Sequence, residues 1–245
     1  MSIDKQVDQF HEQGFLIFEK LINEKKLDYY LSIFDELIDR SKSVPIGTPH
    51  WSFEIDADRQ QNPELLHKVQ GVCVVEPRIL EIASDPMILD LVEKLTGTDI
   101  DVFGTKFFPK LPYGGTSVMW HQDNFYFGTT SDQIVSCAIY FNDADRKNGC
   151  LRVIPKSHLN KEIATHDKNP YGYGHWTQID ESQAIDVAVP AGTVVFFSSN
   201  LLHGTHENKS DRRRYSTAWH YIPANLSLER FPRGGYGDRH AVRGN

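Results

Sequence analysis

The chain has 245 residues, of which 40% are hydrophobic and 24% charged, and its formal net charge at pH 7 is -7. This composition is typical of a globular protein with a sizeable core, and the negative charge disfavours general affinity for nucleic acid. No apolar run reaches the length of a membrane span and no signal peptide is recognisable, so no membrane association is expected. Three cysteines without paired spacing, Cys73, Cys137 and Cys150, indicate buried thiols and a cytoplasmic location.

The N-terminal 98 residues are predicted to form a helical region that packs on the rest of the chain. A short apolar run, Phe15–Phe18, has the length of a buried strand. Asn23 is suited to cap the helix that follows, because its side chain can accept a hydrogen bond from a free backbone N–H. The apolar residues of that helix recur with the spacing of one buried face: Leu27, Tyr30, Leu31, Phe34, Leu37 and Ile38. A second helix is predicted after Ser84 or Asp85, and Gly97 ends it.

Between these two helices, residues 41–70 have no clear hydrophobic period and contain three prolines. Long irregular segments inside a compact domain often act as lids over a ligand. We therefore expect a lid or substrate loop in this region of the chain.

From residue 99 the sequence changes to short β-rich runs separated by turn residues. The runs are 100–108, 117–123, 134–141, 150–154, 184–189, 193–198 and 215–222. Many short strands at this spacing indicate an antiparallel sandwich or a jelly roll. No linker divides the chain, so we expect one domain over 1–245, with an N-terminal helical region (1–98), a β-core (99–223) and a C-terminal tail (224–245).

His121 and Asp123 stand two residues apart at the end of the second β-run. Side chains at i and i+2 of a strand point to the same face, so this imidazole and this carboxylate are expected to meet at one spot. With a second, distant imidazole they would form the 2-His-1-carboxylate triad, which binds Fe(II) and leaves coordination positions open. His203 follows an apolar strand and is the preferred second imidazole. Spacing alone does not exclude its neighbour His206.

Arg214 lies where the last β-run begins. A guanidinium group pairs with a carboxylate through two parallel hydrogen bonds, so Arg214 is suited to hold the far end of a dicarboxylic cosubstrate bound to iron. Strand alternation would then point Arg213 away from Arg212 and Arg214. The alternative is a solvated basic turn in which none of the three arginines has a specific role.

Several motifs resemble, in the same order, those of the phytanoyl-CoA dioxygenase family of Fe(II)/2-oxoglutarate-dependent oxygenases. The matching segments are Trp120-His121-Gln122-Asp123, residues 148–158, Leu202-His203-Gly204-Thr205, and the positions Asn208, Ser210 and Arg214. The resemblance implies a mainly β fold with flanking α, built as a double-stranded β-helix (a jelly-roll, cupin-like core) with N-terminal helices. It implies that His121, Asp123 and His203 bind the iron. It also implies that Arg214, with Thr205 beside it, holds the distal carboxylate of 2-oxoglutarate.

The expected activity is that of a dioxygenase that uses Fe(II), 2-oxoglutarate and O2. Such an enzyme hydroxylates, or otherwise oxidises, an unactivated C–H bond of a small molecule and releases succinate and CO2. A natural-product intermediate or an amino-acid derivative is the preferred substrate. The alternatives are a non-catalytic, metal-binding cupin-like sensor or scaffold, and a cupin metalloenzyme that does not use 2-oxoglutarate. The oligomeric state is not readable from the sequence.

Further site residues are proposed around this centre. Lys106 and Lys110 lie on the β-run before His121 and are candidates to contact 2-oxoglutarate, or an anion of the substrate. The candidate walls of a substrate pocket are Phe125, Tyr126, Trp176, Trp219 and Arg239. For the aromatic residues among them, packing in the core is the competing interpretation.

Overall fold

Two antiparallel sheets, built mainly from strands beyond residue 99, form the core of the computed structural model, which describes residues 3–56, 58–170 and 172–244. The strands are β1 (Phe15–Phe18), β2 (Trp51–Ile55), β3 (Gln61–Gln70), β4 (Ile100–Lys110), β5 (Val118–His121), β6 (Val135–Tyr140), β7 (Leu151–Val153), β8 (Asp167–Lys168), β9 (His175–Trp176), β10 (Ile185–Val187), β11 (Val194–Ser198), β12 (His203–Thr205), β13 (Arg214–Pro223) and β14 (Arg239–Arg243). The helices are α1 (Ile3–Gln13), α2 (Glu24–Ser41), α3 (Val72–Val75), α4 (Leu80–Ala83), α5 (Pro86–Thr96) and α6 (Asp123–Phe127).

The larger sheet has the strand order β1-β11-β6-β13-β4-β3-β2, and β14 also pairs with β4. The smaller sheet has the order β10-β7-β12-β5, while β8 and β9 form a separate hairpin. Strands that are distant in sequence therefore become neighbours within each sheet. This arrangement is that of the predicted double-stranded β-helix.

Successive side chains of β13 point alternately to the two faces of the larger sheet. One face is covered by the helices, and the other faces the smaller sheet. Tyr215 and Tyr221 belong to the main hydrophobic core, which also contains the buried stripe of α2. Within that core, the ring of Phe34 from α2 stacks on Phe107 from β4 at a centroid distance of 4.2 Å. The opposite face of β13, which carries Arg214, borders a cavity between the two sheets. The predicted packing of N-terminal helices on a β-core agrees with this arrangement.

A second apolar cluster joins the two sheets. Its members come from β1, β6 and β11 of the larger sheet and from β7 and β10 of the smaller one. Four of its members, Ala138, Tyr140, Leu151 and Phe197, also line the cavity of the polar site described below, so this cluster forms the apolar floor of that site.

The predicted helix caps are present in the structure. The side chain of Asn23 accepts a hydrogen bond from the N–H of Lys26 at 3.0 Å and caps α2. The side chain of Asp85 accepts one from the N–H of Met87 at 2.9 Å, and Pro86 follows as the first residue of α5. In each case, a side-chain oxygen satisfies a backbone donor that has no partner within its helix.

Residues 41–70 are not the irregular segment that we expected. They contain β2 and β3, which pair with each other and join the larger sheet through β4. Register shifts on either side of Phe53 interrupt the regular alternation of this hairpin. Because a bulge moves the following side chains to the other face, the apolar pattern loses its period of two and the sequence reads as loop.

The strand predicted over 117–123 is shorter than expected. It ends at His121, and Asp123 is the first residue of α6. Within the described regions of the chain, no helix is both long and apolar enough to cross a lipid bilayer.

Candidate active site

Three side chains from three elements converge between the sheets. His121 ends β5 and His203 begins β12, and the two residues lie directly opposite each other in the antiparallel pair of these strands. One ligand atom each from His121, Asp123 and His203 lies within 4.8 Å of the others. The Nε2 atoms of His121 and His203 are each 3.6 Å from an oxygen of Asp123. Two imidazole nitrogens and a carboxylate at this separation fit a single metal ion of the 2-His-1-carboxylate type.

Backbone carbonyls orient both imidazoles. The Nδ1 atom of His121 is 2.8 Å from the carbonyl oxygen of Met119, and the Nδ1 atom of His203 is 2.9 Å from that of Leu201. A carbonyl oxygen only accepts hydrogen bonds, so Nδ1 carries the hydrogen in each ring. The lone pair of Nε2 is then available to a metal ion, which is the tautomer that metal-ligating histidines need.

The protonation states also suit a metal ion. Burial would raise the pKa of the Asp123 carboxyl, but His203, His220 and His121 outweigh it and hold that pKa well below its usual range. The hydroxyl of Ser136 also donates a hydrogen bond to Asp123 at 2.7 Å. Burial, with the nearby His121, lowers the pKa of His203 to about 4. Asp123 is thus ionised and His203 neutral at pH 7, as metal binding requires.

Arg214 is buried at the start of β13 and lines the same cavity as the triad. Its Nη1 donates a hydrogen bond to the hydroxyl of Ser216, but its Nε has no partner, and no ion pair to Arg214 occurs in the described ranges. The other two arginines of the run do not line this cavity, because Arg212 forms an ion pair with Asp145 and Arg213 forms one with Asp35. An unpaired buried guanidinium is costly unless an anion joins it. Arg214 therefore fits a carboxylate ligand.

An inner cavity of about 100 Å³ contains the triad, Arg214 and further predicted residues. Thr205 lines it, and its Oγ1 accepts a hydrogen bond from the N–H of Val118 at 3.0 Å, so its own O–H is left to donate. The ammonium group of Lys110 donates to the carbonyl oxygens of Thr116 and His206. Because two of its three N–H groups are used in this way, Lys110 mainly ties together three segments of backbone.

Lys106 lines the inner cavity and also the larger one outside it. Its Nζ is 2.8 Å from Nε2 of His220, and Nδ1 of that ring is 2.9 Å from the hydroxyl of Ser136. A chain of hydrogen bonds thus connects Lys106 through His220 and Ser136 to Asp123. His220 was not among the predicted site residues. Its even spacing from Arg214 on one predicted strand was a signal that could have indicated it.

The outer cavity has a volume of about 630 Å³ and extends to His121 and Asp123. This volume lies in the range of small-molecule sites, about 300–1,000 Å³. Its apolar walls include Met119, Tyr126 and Phe127. A small molecule in this cavity would therefore lie against the candidate metal centre.

The proposed pocket residues differ in where they lie. Tyr126 lines the outer cavity, with its ring 5.9 Å from that of His121. Phe125 stacks on His166 at 4.3 Å, and neither it nor Trp176 lines either cavity. The strand that ends at His121 gives way to a helix, so Phe125 and Tyr126 point in different directions. Of the three, Tyr126 alone borders the space in which a substrate would bind.

Trp219 and Arg239 lie mainly in the interior of the fold. Trp219 borders the inner cavity, but its indole is fully buried in the main core and donates a hydrogen bond to the hydroxyl of Tyr221 at 2.9 Å. Strand alternation turns it toward the helices rather than toward a substrate. Arg239 lines neither cavity, because it is buried against Asp101 with 2.8 Å between Nε and Oδ2. Both residues hold the fold together.

His206, the competitor of His203, belongs to a different cluster. Its Nε2 is 2.7 Å from Asp186, and Cys150 lies near enough that the three could also enclose an ion. However, Arg146 and Arg152 both approach the carboxylate of Asp186. These cations already compensate the charge of Asp186, so the cluster is better explained as an ion-pair network.

The fold and this site define a class of protein: an oxygenase built on a double-stranded β-helix that carries a 2-His-1-carboxylate metal centre. Comparison with known proteins gives the particular family. The model of the family "Phytanoyl-CoA dioxygenase (PhyH)" matches residues 10–216, and the chain belongs to this family. Membership confirms the predicted family and the predicted class of enzyme, an iron- and 2-oxoglutarate-dependent dioxygenase.

A curated relative agrees with the family assignment, and two solved structures share the fold. The peroxisomal phytanoyl-CoA dioxygenase of Bos taurus is 28% identical over 229 residues, which cover 88% of this chain and 67% of the relative. This chain thus spans about two thirds of that protein. The solved structure of the non-heme monooxygenase ThoJ in its apo form has a TM-score of 0.76 at 24% identity and covers 98% of this chain and 84% of that one. EctD from S. alaskensis with 2-oxoglutarate and 5-hydroxyectoine has a TM-score of 0.73 at 20% identity, with coverage of 94% and 78%. The fold prediction is thereby confirmed.

Proposed function

We propose that the protein binds Fe(II) through His121, Asp123 and His203, and 2-oxoglutarate through Arg214, and oxidises a C–H bond of a small molecule in the outer cavity. The observation that carries the proposal is the unpaired, buried guanidinium of Arg214 in the same cavity as the triad. A triad alone would suit any cupin-like metal protein. A carboxylate-binding arginine beside it has a use only if a dicarboxylate joins the metal.

Each component of the site has a task under this proposal. When bound, the iron supplies the redox chemistry that couples conversion of 2-oxoglutarate and O2 into succinate and CO2 to oxidation of the substrate. His121 and His203 present Nε2, and Asp123 presents a carboxylate whose orientation depends on Ser136. The task of these residues is to hold the ion rigidly while leaving positions open to ligands.

The guanidinium of Arg214 would bind the distal carboxylate of 2-oxoglutarate. Its Nη1 is already engaged by Ser216, so the edge formed by Nε and Nη2 is the one available for two parallel hydrogen bonds. The hydroxyl of Thr205 would donate a third. Lys106 lines both cavities and would provide positive charge beside the anionic ligands of the metal.

The outer cavity would hold the substrate. Its apolar walls, among them Tyr126 and Phe127, border the space next to the triad. Their task is to position one C–H bond close to the metal, because a misplacement of about 1 Å can reduce the rate on the order of 100-fold.

The test is an anaerobic titration of the metal-free protein with Fe(II) and 2-oxoglutarate, followed by visible absorption. A weak charge-transfer band that needs both additions is expected, because the keto acid must chelate the ion. Arg214→Ala should weaken the apparent affinity for 2-oxoglutarate about 10–100-fold, which is the size of a lost charge-assisted, bidentate contact. Arg213→Ala is the matched control and should behave as the wild type.

Two results would contradict the proposal. A folded, iron-loaded protein that gives no band with 2-oxoglutarate would favour a cupin enzyme that does not use this cosubstrate. Iron binding without any succinate release, in the presence of a broad set of small molecules, would favour a metal-binding sensor or scaffold.

A further inference from the structure

One lysine in the outer cavity has no partner. Lys68 lies on β3 and lines this cavity, and its ammonium group makes no hydrogen bond or ion pair in residues 3–56, 58–170 and 172–244. Most long charged side chains that lack a partner project into solvent. Lys68 is instead partly buried, inside a space of the size of a substrate.

The pairing of β3 with β4 determines this position. Lys68 and Gln70 both line the cavity, while Val69 between them is completely buried in the core. Gln70 is paired in register with Lys106, so the two lysines project from neighbouring strands into the same space. Burial, with the charge of Lys106 as the second cause, lowers the pKa of Lys68 to about 8. The cavity thus holds two cations that repel each other.

The negative charges around the cavity are already compensated. Asp123 would face the metal ion, and the exposed Glu207 pairs with Lys209. His67 also lines the cavity, and its Nδ1 is 3.1 Å from Glu54. None of these groups contacts Lys68, so its charge is available to an anion that enters with a ligand.

Another part of the wall is aromatic. Tyr126, Phe127, Phe231 and Tyr236 line the cavity around the access to His121. A ligand that packs against this aromatic wall and also pairs with Lys68 has a hydrocarbon body and one compact anionic group.

On the basis of the proposed function, we propose that the substrate is an amphipathic carboxylic acid whose carboxylate binds Lys68 while its hydrocarbon body lies against the aromatic wall beside the metal centre. Lys68 is then a determinant of specificity, because an uncharged analogue leaves the lysine desolvated without a partner. Lys106 already donates to His220, so Lys68 is the lysine left to the ligand, and its one point charge suits a monoanion better than a group with several negative charges.

The experiment uses octanoate and octanamide as matched probes with the full-length protein loaded with Fe(II) and saturating 2-oxoglutarate. Because 2-oxoglutarate is saturating, it occupies Arg214, and octanoate cannot bind there. Binding is measured anaerobically, as the perturbation of the charge-transfer band at increasing probe concentration. Octanoate should bind at least about tenfold more tightly than octanamide, the effect of one charge-assisted hydrogen bond.

Variants of Lys68 test the assigned contact. Lys68→Gln should remove the preference for octanoate, and Lys68→Arg should retain most of it. Lys147→Gln alters an exposed lysine outside the cavity and should behave as the wild type. The band formed by Fe(II) and 2-oxoglutarate should be the same in all of these variants, since none changes the metal centre.

The inference is overturned if octanamide binds as well as octanoate, if neither perturbs the band, or if Lys68→Gln keeps the preference. Tighter binding of octyl phosphate than of octanoate would overturn the assignment to a carboxylate. In each of these cases the charge-transfer band of Fe(II) with 2-oxoglutarate still forms. If the proposed function itself is wrong, that band does not form.

Discussion

His121 and His203 face each other across the β5–β12 pair, with their ring centroids 4.2 Å apart. Each ring is held by a carbonyl oxygen two residues earlier in its own chain segment. Strand pairing therefore brings the two imidazoles together, and local backbone sets their tautomers. The sheet therefore sets the positions of the two imidazoles, and the third ligand, Asp123, comes from the start of α6.

Replacement of His203 should abolish tight iron binding, while replacement of His206 should not. His203→Ala removes one of three candidate ligands. Loss of a residue that only hydrogen-bonds to a metal ligand lowers metal affinity by up to about 100-fold, so loss of a ligand itself should lower the Fe(II) affinity by more than that. His206→Ala breaks only the contact with Asp186. Iron content after gel filtration, together with the charge-transfer titration, measures the difference. Equal loss in both variants would contradict the assignment of His203.

The buried ion pair of Arg239 should be important for stability. Arg239 and Arg233 both contact Asp101, but the side chain of Arg239 is 1% exposed and that of Arg233 is 46% exposed. Arg239→Met leaves the buried carboxylate of Asp101 without its main partner and should reduce the free energy of unfolding by about 3–5 kcal/mol. Arg233→Met should cost less than about 1 kcal/mol, because the pair is screened by solvent.

Urea denaturation followed by circular dichroism measures both effects. The two variants share the same acidic partner, so each is the control for the other. A similar small loss in both would mean that Asp101 is solvated in the folded protein.

The three thiols should be unreactive in the native state. Burial raises the pKa of Cys73 and Cys150 to about 12 and that of Cys137 well above its usual value. The thiolate is the reactive form, so at pH 8 almost none is present in the folded protein. An aromatic disulfide reagent should label less than one thiol per chain in buffer and three in urea. Rapid labelling without denaturant would show that one of these sites opens locally.

Affinity for the anionic probe should depend on pH through Lys68. Its pKa of about 8 lies below the ordinary value, so the ammonium is mostly charged at pH 7 and mostly neutral at pH 9. Octanoate binding should therefore weaken about tenfold between these values, while octanamide binding should change little. Other charged or titratable groups also line this cavity and must be distinguished from Lys68: His67, Lys106 and Glu207, and His121 and Asp123 of the metal centre.

Lys68→Arg separates Lys68 from these other groups. A guanidinium stays charged throughout this range, so the variant should bind octanoate equally at pH 7 and pH 9. If the variant shows the same pH dependence as the wild type, another group of the cavity is responsible.

Much of the fold was predictable because it depends on local patterns. The stripe on α2, the caps Asn23 and Asp85, and most strands of the β-core follow from hydrophobic period and capping chemistry, which act between residues close in sequence. The β2–β3 hairpin was missed because its bulges remove that period. Asp123 was expected on a strand and begins a helix instead, yet its carboxylate still reaches His121.

The sequence by itself determined the chemistry: the family motifs, the residue types of a metal triad, and an arginine suited to a carboxylate at the start of a strand. Only the tertiary structure decided which candidates meet. It brings His203 rather than His206 to Asp123. It buries Trp219 and Arg239 in the interior. It also places His220 and Lys68, which were not predicted, at the site and its outer cavity. The physical reason is that these contacts depend on register between strands far apart in the chain, and a single sequence reports periodicity within a strand but not which strand lies beside it.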